Sequence, residues 1–92
     1  MSNSGSFKIR VERRAEDGWY SLEEKLPDEM AELKAFLKRQ PANTRITNGK
    51  AKKLKGRLKE YLQYDMSYSD RVRYSVDKHR GVVTVVYAGP HP

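Results

Sequence analysis

Cysteine is absent from the 92 residues. That excludes disulfides, thiolate metal sites and thiol nucleophiles. Long apolar runs are missing too: nowhere does the chain approach the roughly 18 consecutive apolar residues of a membrane span. The opening stretch MSNSGSFKIR has no apolar signal-peptide segment. A soluble, cytoplasmic protein with no membrane partner is expected. Histidine is scarce, present only as His79 and His91, and no metal or other cofactor is expected. The length predicts one folded unit over residues 7–92 behind a frayed, small and polar stretch 1–6. Such a unit has a core sufficient to fold unaided and no room for a second catalytic domain.

Acidic residues are in short supply in one half only. Positions 1–44 hold eight Lys/Arg and eight Asp/Glu, whereas positions 45–92 hold eleven against four, so the net charge of +7 belongs entirely to the second half. A one-signed patch steers polyanions, either a nucleic acid or an acidic protein. A basic face that only solubilises the chain has the same composition.

What is present has a legible period. FKIRVER alternates apolar Phe7, Ile9 and Val11 with charged Lys8, Arg10 and Glu12, as a strand with one buried face does. Ala15, Trp19, Leu22 and Leu26 follow helical spacing, with Gly18 weakening the helix. Pro27 opens a second helix with Asp28 and Glu29 in its first turn. Met30, Leu33, Phe36 and Leu37 form its stripe, and Pro41 stops it. Residues 42–49 form a loop, and KAKKLKGRLKEY fits either a helical turn on Ala51 and Leu54 or an extended basic loop. YLQYDM alternates as a strand, SYSD turns, and RVRYSV alternates again. In that strand Val72, Tyr74 and Val76 share one face, with Arg71, Arg73 and Ser75 on the other. DKHRG turns, and β-branched VVTVVYA predicts a central strand covered on both faces. The expected fold class is α+β in the order β-α-α-β-β-β. A helical hairpin covers one face of a mainly antiparallel sheet that ends in a three-stranded meander.

That order resembles the RelE/ParE superfamily of bacterial type II toxin–antitoxin toxins over roughly residues 7–90. The resemblance is carried by KKLKG, then YLQYDM, then DRVRYSV, then VVTVVYAG. In the family an LKG element leads into a strand, and the next strand begins with an arginine, two small or branched residues and a tyrosine. Here these are Arg71-Val72-Arg73-Tyr74. LEEKLPDEMAEL is similar to the family's helical hairpin, with proline at its bend. The resemblance implies a toxin held inactive by a cognate antitoxin. RelE-like members cut mRNA in the ribosomal A site, whereas ParE-like members inhibit DNA gyrase without being nucleases.

Metal-free RNA cleavage needs a base for the 2′-hydroxyl, cations for the charge on phosphate, and an acid for the leaving oxygen. Arg71 suits the second role because guanidinium stays charged and matches phosphate geometry, and Arg73 shares its face. The same residues also fit an ordinary solvent-facing strand. Where family ribonucleases often carry a basic residue on the neighbouring strand, this chain has Gln63 and Asp65. Asp65 would pair with Arg71 and reduce its charge, or serve as a base if burial raises its pKa. His79 is a turn residue. Many RNA-cleaving members place a catalytic histidine or tyrosine just after the last strand, and His91 falls near that position. The sequence ends at Pro92, without the tyrosine-ending tail of many members.

Lys50, Lys52, Lys53, Lys55, Arg57 and Lys59 form a basic run able to contact ribosomal RNA phosphates or an acidic antitoxin segment. Tyr68 in the turn is the tyrosine expected to be exposed and to stack on a base. Tyr64, Tyr74 and Tyr87 are expected in the core. The favoured function is a ribosome-dependent mRNA endoribonuclease. The alternatives are a non-enzymatic gyrase inhibitor, a toxin homologue with degenerate chemistry, and a basic nucleic-acid-binding domain unrelated to toxins.

Overall fold

In the computed structural model, which describes residues 6–90 apart from the side chain of Tyr68, the helical periods are obeyed. α1 (Arg13–Lys25) buries Ala15, Trp19 and Leu22, and α2 (Pro27–Arg39) buries Met30, Leu33, Phe36 and Leu37. Leu26 alone connects them. Its N–H closes α1 on the Leu22 carbonyl at 2.7 Å, and its own carbonyl accepts from Met30 N at 2.9 Å. Pro27 at the first position of α2 needs no N–H partner, and its fixed φ suits the helix start. The bend therefore costs few unpaired backbone groups.

Among the described residues five strands form one sheet: β1 (Lys8–Val11), β2 (Ala51–Lys53), β3 (Leu62–Asp65), β4 (Asp70–Asp77) and β5 (Val82–Pro90). Their spatial order is β1-β5-β4-β3-β2. β1 runs parallel to β5, and the other three pairings are antiparallel. The expected α+β arrangement forms, with its C-terminal meander β3-β4-β5 and with the helical hairpin on one face.

The core lies between that hairpin and the inner sheet face. Ala51, Tyr64, Val72 and Ala88 occupy one cross-strand row of buried residues, and Leu62, Tyr74 and Val85 the next. Tyr74 is 0% exposed. Its hydroxyl donates to the Pro41 carbonyl at 2.7 Å, so the phenol is buried without an unpaired proton, and burial pushes its pKa far above the ordinary value. Asp70, also buried, accepts from Lys25 Nζ at 2.8 Å, which ties the start of β4 to the last turn of α1.

Three expectations need correction. The basic run contains a strand: β2 turns only Ala51 inward, while Lys52 and Lys53 are exposed. Its two lysines hide the strand signal and blunt a sheet edge that would otherwise invite pairing. Its entry is fixed by Thr47, whose hydroxyl donates to the Thr44 carbonyl at 2.8 Å and accepts from Ala51 N at 2.9 Å. Second, β5 is central but covered on one face only. Val83, Val85 and Ala88 are buried, while Thr84, Val86 and Tyr87 are partly exposed. Third, Gly18 serves packing rather than merely weakening α1. A Cβ there would stand 1.8 Å from the Ala88 carbonyl oxygen, so only glycine lets the helix lie this close to β5.

Candidate functional site on the open sheet face

The sheet face away from the helices carries the polar side chains. Because strand partners share a face, the register builds one row across four strands: Lys52 opposite Gln63, Gln63 opposite Arg73, and Arg73 opposite Tyr87. The adjoining row sets Asp65 opposite Arg71 and Arg71 opposite Gly89.

Tyr87 reaches this face through a backbone irregularity. The β4–β5 register shifts between Arg73 and Tyr74, so Arg73 faces Tyr87 while Tyr74 faces Val85, and Val86 is the extra residue. A bulge of this kind inverts the alternation beyond it. Tyr87, expected in the core of a strand covered on both faces, is turned to the open face instead. Its hydroxyl donates to the Pro90 carbonyl, and the Arg73 guanidinium lies over its ring, 5.9 Å from the centroid.

Hydrogen bonds join the row. Arg73 Nε donates to Gln63 Oε1 at 3.0 Å, and Gln63 Nε2 donates to Asp65 Oδ1 at 2.9 Å. Asp65 Oδ2 lies 3.4 Å from Lys52 Nζ. The expected ion pair of Asp65 with Arg71 does not form among the described residues. Gln63 and Lys52 draw the carboxylate toward them, and Arg71 is left out of the network. Its Nε is buried and, among the described residues, has no hydrogen-bond partner. On the other side Arg71 has Gly89, which offers no side chain. Gln63, expected on an exposed face, is only 2% exposed because the network covers it.

The basic run is divided by the fold. Lys52 stands on the open face, but Lys50 reaches Glu32 of α2 at 3.4 Å on the helix side. Lys53, Lys55, Arg57 and Lys59 are exposed, the last three around the short turn Gly56–Leu58. His79 lies in the exposed turn after β4, about 20 Å from Arg71 by strand length. His91 and the Tyr68 side chain lie outside what the structure describes, although the Tyr68 backbone belongs to the turn Ser67–Ser69. Tyr64 and Tyr74 are buried as expected.

Sequence periodicity missed Gln63 as a bridge and Tyr87 as a face residue. The first depends on cross-strand register and the second on the bulge, and neither has a local signal. Among the described residues no helix is long and apolar enough to cross a membrane, and no group of three or more His, Asp or Glu side chains converges as a metal site.

No family model matches the chain, and no curated protein matches its sequence. Solved structures do match. The toxin–antitoxin complex RelBE2 from Mycobacterium tuberculosis is 18% identical, with a TM-score of 0.65 over 94% of this chain and 99% of that one. A YoeB/ParE toxin from Agrobacterium tumefaciens is 17% identical, with a TM-score of 0.66 over 94% of this chain and 100% of that one. The archaeal RelE-RelB complex from Pyrococcus horikoshii is 19% identical, with a TM-score of 0.65 over 92% of this chain and 94% of that one. The sheet order, the helical hairpin and the full-length overlap lead to one conclusion: the chain has the fold of the RelE/ParE-type toxins.

Proposed function

We propose that this chain is the toxin of a toxin–antitoxin pair and cuts mRNA on the ribosome without a metal. The observation that carries the reading is Arg71, whose buried Nε has no hydrogen-bond partner among the described residues while a glycine stands across from it. An unpaired buried donor is costly, and a phosphate oxygen would satisfy it with a charge-assisted bond. Arg73, two residues along the same face, is already oriented by Gln63 and Tyr87. In this reading Arg71 and Arg73 stabilise the charge that builds on the scissile phosphate when the 2′-oxygen attacks. His91 supplies the proton to the departing 5′-oxygen, and Asp65 tunes the local charge or takes the 2′-proton. The exposed Lys52, Lys53, Lys55, Arg57 and Lys59 add salt-sensitive contacts to ribosomal RNA, with Lys50 and the Tyr68 ring as further candidates. The partners are the ribosome, mRNA and a cognate antitoxin, in keeping with the RelB and YefM complexes among similar structures.

One observation favours a second reading, a non-enzymatic gyrase inhibitor or degenerate toxin. Gln63 and Asp65 stand beside the arginines where a nuclease of this kind often has a cation. Inducing the chain in bacteria and mapping mRNA 5′ ends separates the two. Growth arrest with new 5′ ends in translated codons supports the nuclease; arrest with intact mRNA and broken DNA supports gyrase inhibition.

A further inference from the structure

Beside the arginines, on the same open face, lies a cleft of about 400 Å³ lined by Arg14, Leu58, Tyr61, Arg73, Val86 and Tyr87. Its volume falls in the range of about 300–1,000 Å³ typical of small-ligand sites. From this cleft we infer a nucleobase subsite: Tyr61 and Tyr87 receive the ring of one RNA base, and Arg73 links it to the phosphate held at Arg71. This inference rests on the RNA reading above and names the part of the substrate that the phosphate contacts leave unread.

The lining combines two features that a flat, polar-edged ring needs. Two tyrosine rings with Leu58 and Val86 offer apolar area, and stacking on aromatic rings is tolerant of base identity. Two guanidinium groups supply planar donors for ring nitrogens and carbonyl oxygens. The site is built rather than incidental. The bulge at Val86 and Tyr87 brings two consecutive β5 residues to the open face. The Pro90 carbonyl and Arg73 hold Tyr87 from two sides. Leu58 belongs to the turn Gly56–Leu58, and Tyr61 N donates to the Leu58 carbonyl at 2.9 Å, which fixes the rim contributed by the loop before β3. Arg73 is shared. It lines the cleft and lies two strand positions from Arg71, about 7 Å along the backbone.

The test uses the full chain and a 2′-O-methylated trinucleotide, which cannot be cut, carrying 2-aminopurine at its middle position. A matched trinucleotide lacks that base. The inference expects 2-aminopurine fluorescence to be quenched on binding and the abasic form to bind at least about fivefold more weakly. Tyr61→Leu lowers affinity for the base-bearing form by a similar factor, has no effect on the abasic form, and keeps its circular dichroism. Tyr61→Phe retains the ring and binds as the parent does. Equal binding of both trinucleotides, still dependent on Arg71, overturns the subsite but leaves the phosphate site standing. Binding of neither overturns the subsite, while the RNA reading stands or falls separately, on A-site cleavage of mRNA by the same protein on ribosomes. An aromatic-bearing acidic peptide that binds the parent and is lost on Tyr61→Leu, with no quenching of the trinucleotide by the parent, overturns it in favour of a protein side chain.

Discussion

Arg73 Nε donates to Gln63 Oε1 at 3.0 Å across the β4–β3 pair, and Gln63 passes a second bond to Asp65 at 2.9 Å. A buried amide thus joins a cation to an acid, and Arg71 on the adjacent row stands outside the chain of bonds. Replacing Gln63 by leucine leaves Arg73 Nε without its acceptor. The expected loss is about 1–3 kcal/mol of stability, read by urea denaturation.

Asp65→Asn keeps the acceptor for Gln63 and removes a negative charge beside both arginines. Affinity for a short oligoribonucleotide should rise about two- to fivefold at low salt and converge with the parent's at high salt. Fluorescence anisotropy across a salt series measures this. An unchanged affinity would mean that Asp65 exerts no control over the face.

Gly18→Ala places a methyl 1.8 Å from a strand carbonyl that has no freedom to turn aside. The helix must lift from β5, at about 3 kcal/mol or more. Thermal unfolding should show a large drop in midpoint, whereas a change of less than a degree would contradict the close approach.

Glu29 offers a test by pH. Hydrogen bonds from the Ser67 side chain and backbone N–H hold its carboxyl below the ordinary value of 4.5. A folded pKa below the unfolded one means a contribution fully present above the unfolded value and lost as the pH falls through the folded one. Glu29→Gln should therefore melt below the parent at pH 6. The gap should shrink below pH 4.5 and close once the parent's carboxylate is protonated.

The local periods were enough for both helices, the proline bend and the three C-terminal strands, because each element has one apolar face that its own residues reveal. Tyr74 and Val72 could be placed in the core from alternation alone. β2 could not, since a strand with one inward alanine and two lysines has no apolar period to read. Gly18 looked like a flaw in a helix because its neighbour, Ala88, lies 70 residues away in sequence. On the open face Arg71 and Arg73 followed from alternation. Their surroundings did not: the Gln63 bridge comes from register, and the outward turn of Tyr87 from one inserted residue.

The central claim is that Arg71 is held ready for a phosphate, and mapping cleavage on programmed ribosomes tests it most directly. Purified parent, Arg71→Lys and Arg71→Ala proteins are added to ribosomes stalled on a defined mRNA, and new 5′ ends are read by primer extension. The account predicts A-site cuts by the parent, slower cutting by Arg71→Lys, which keeps charge without the planar fork, and about a hundredfold or greater loss for Arg71→Ala with the fold retained. Cleavage by Arg71→Ala at the parent's rate, or no cleavage by the folded parent, would contradict it.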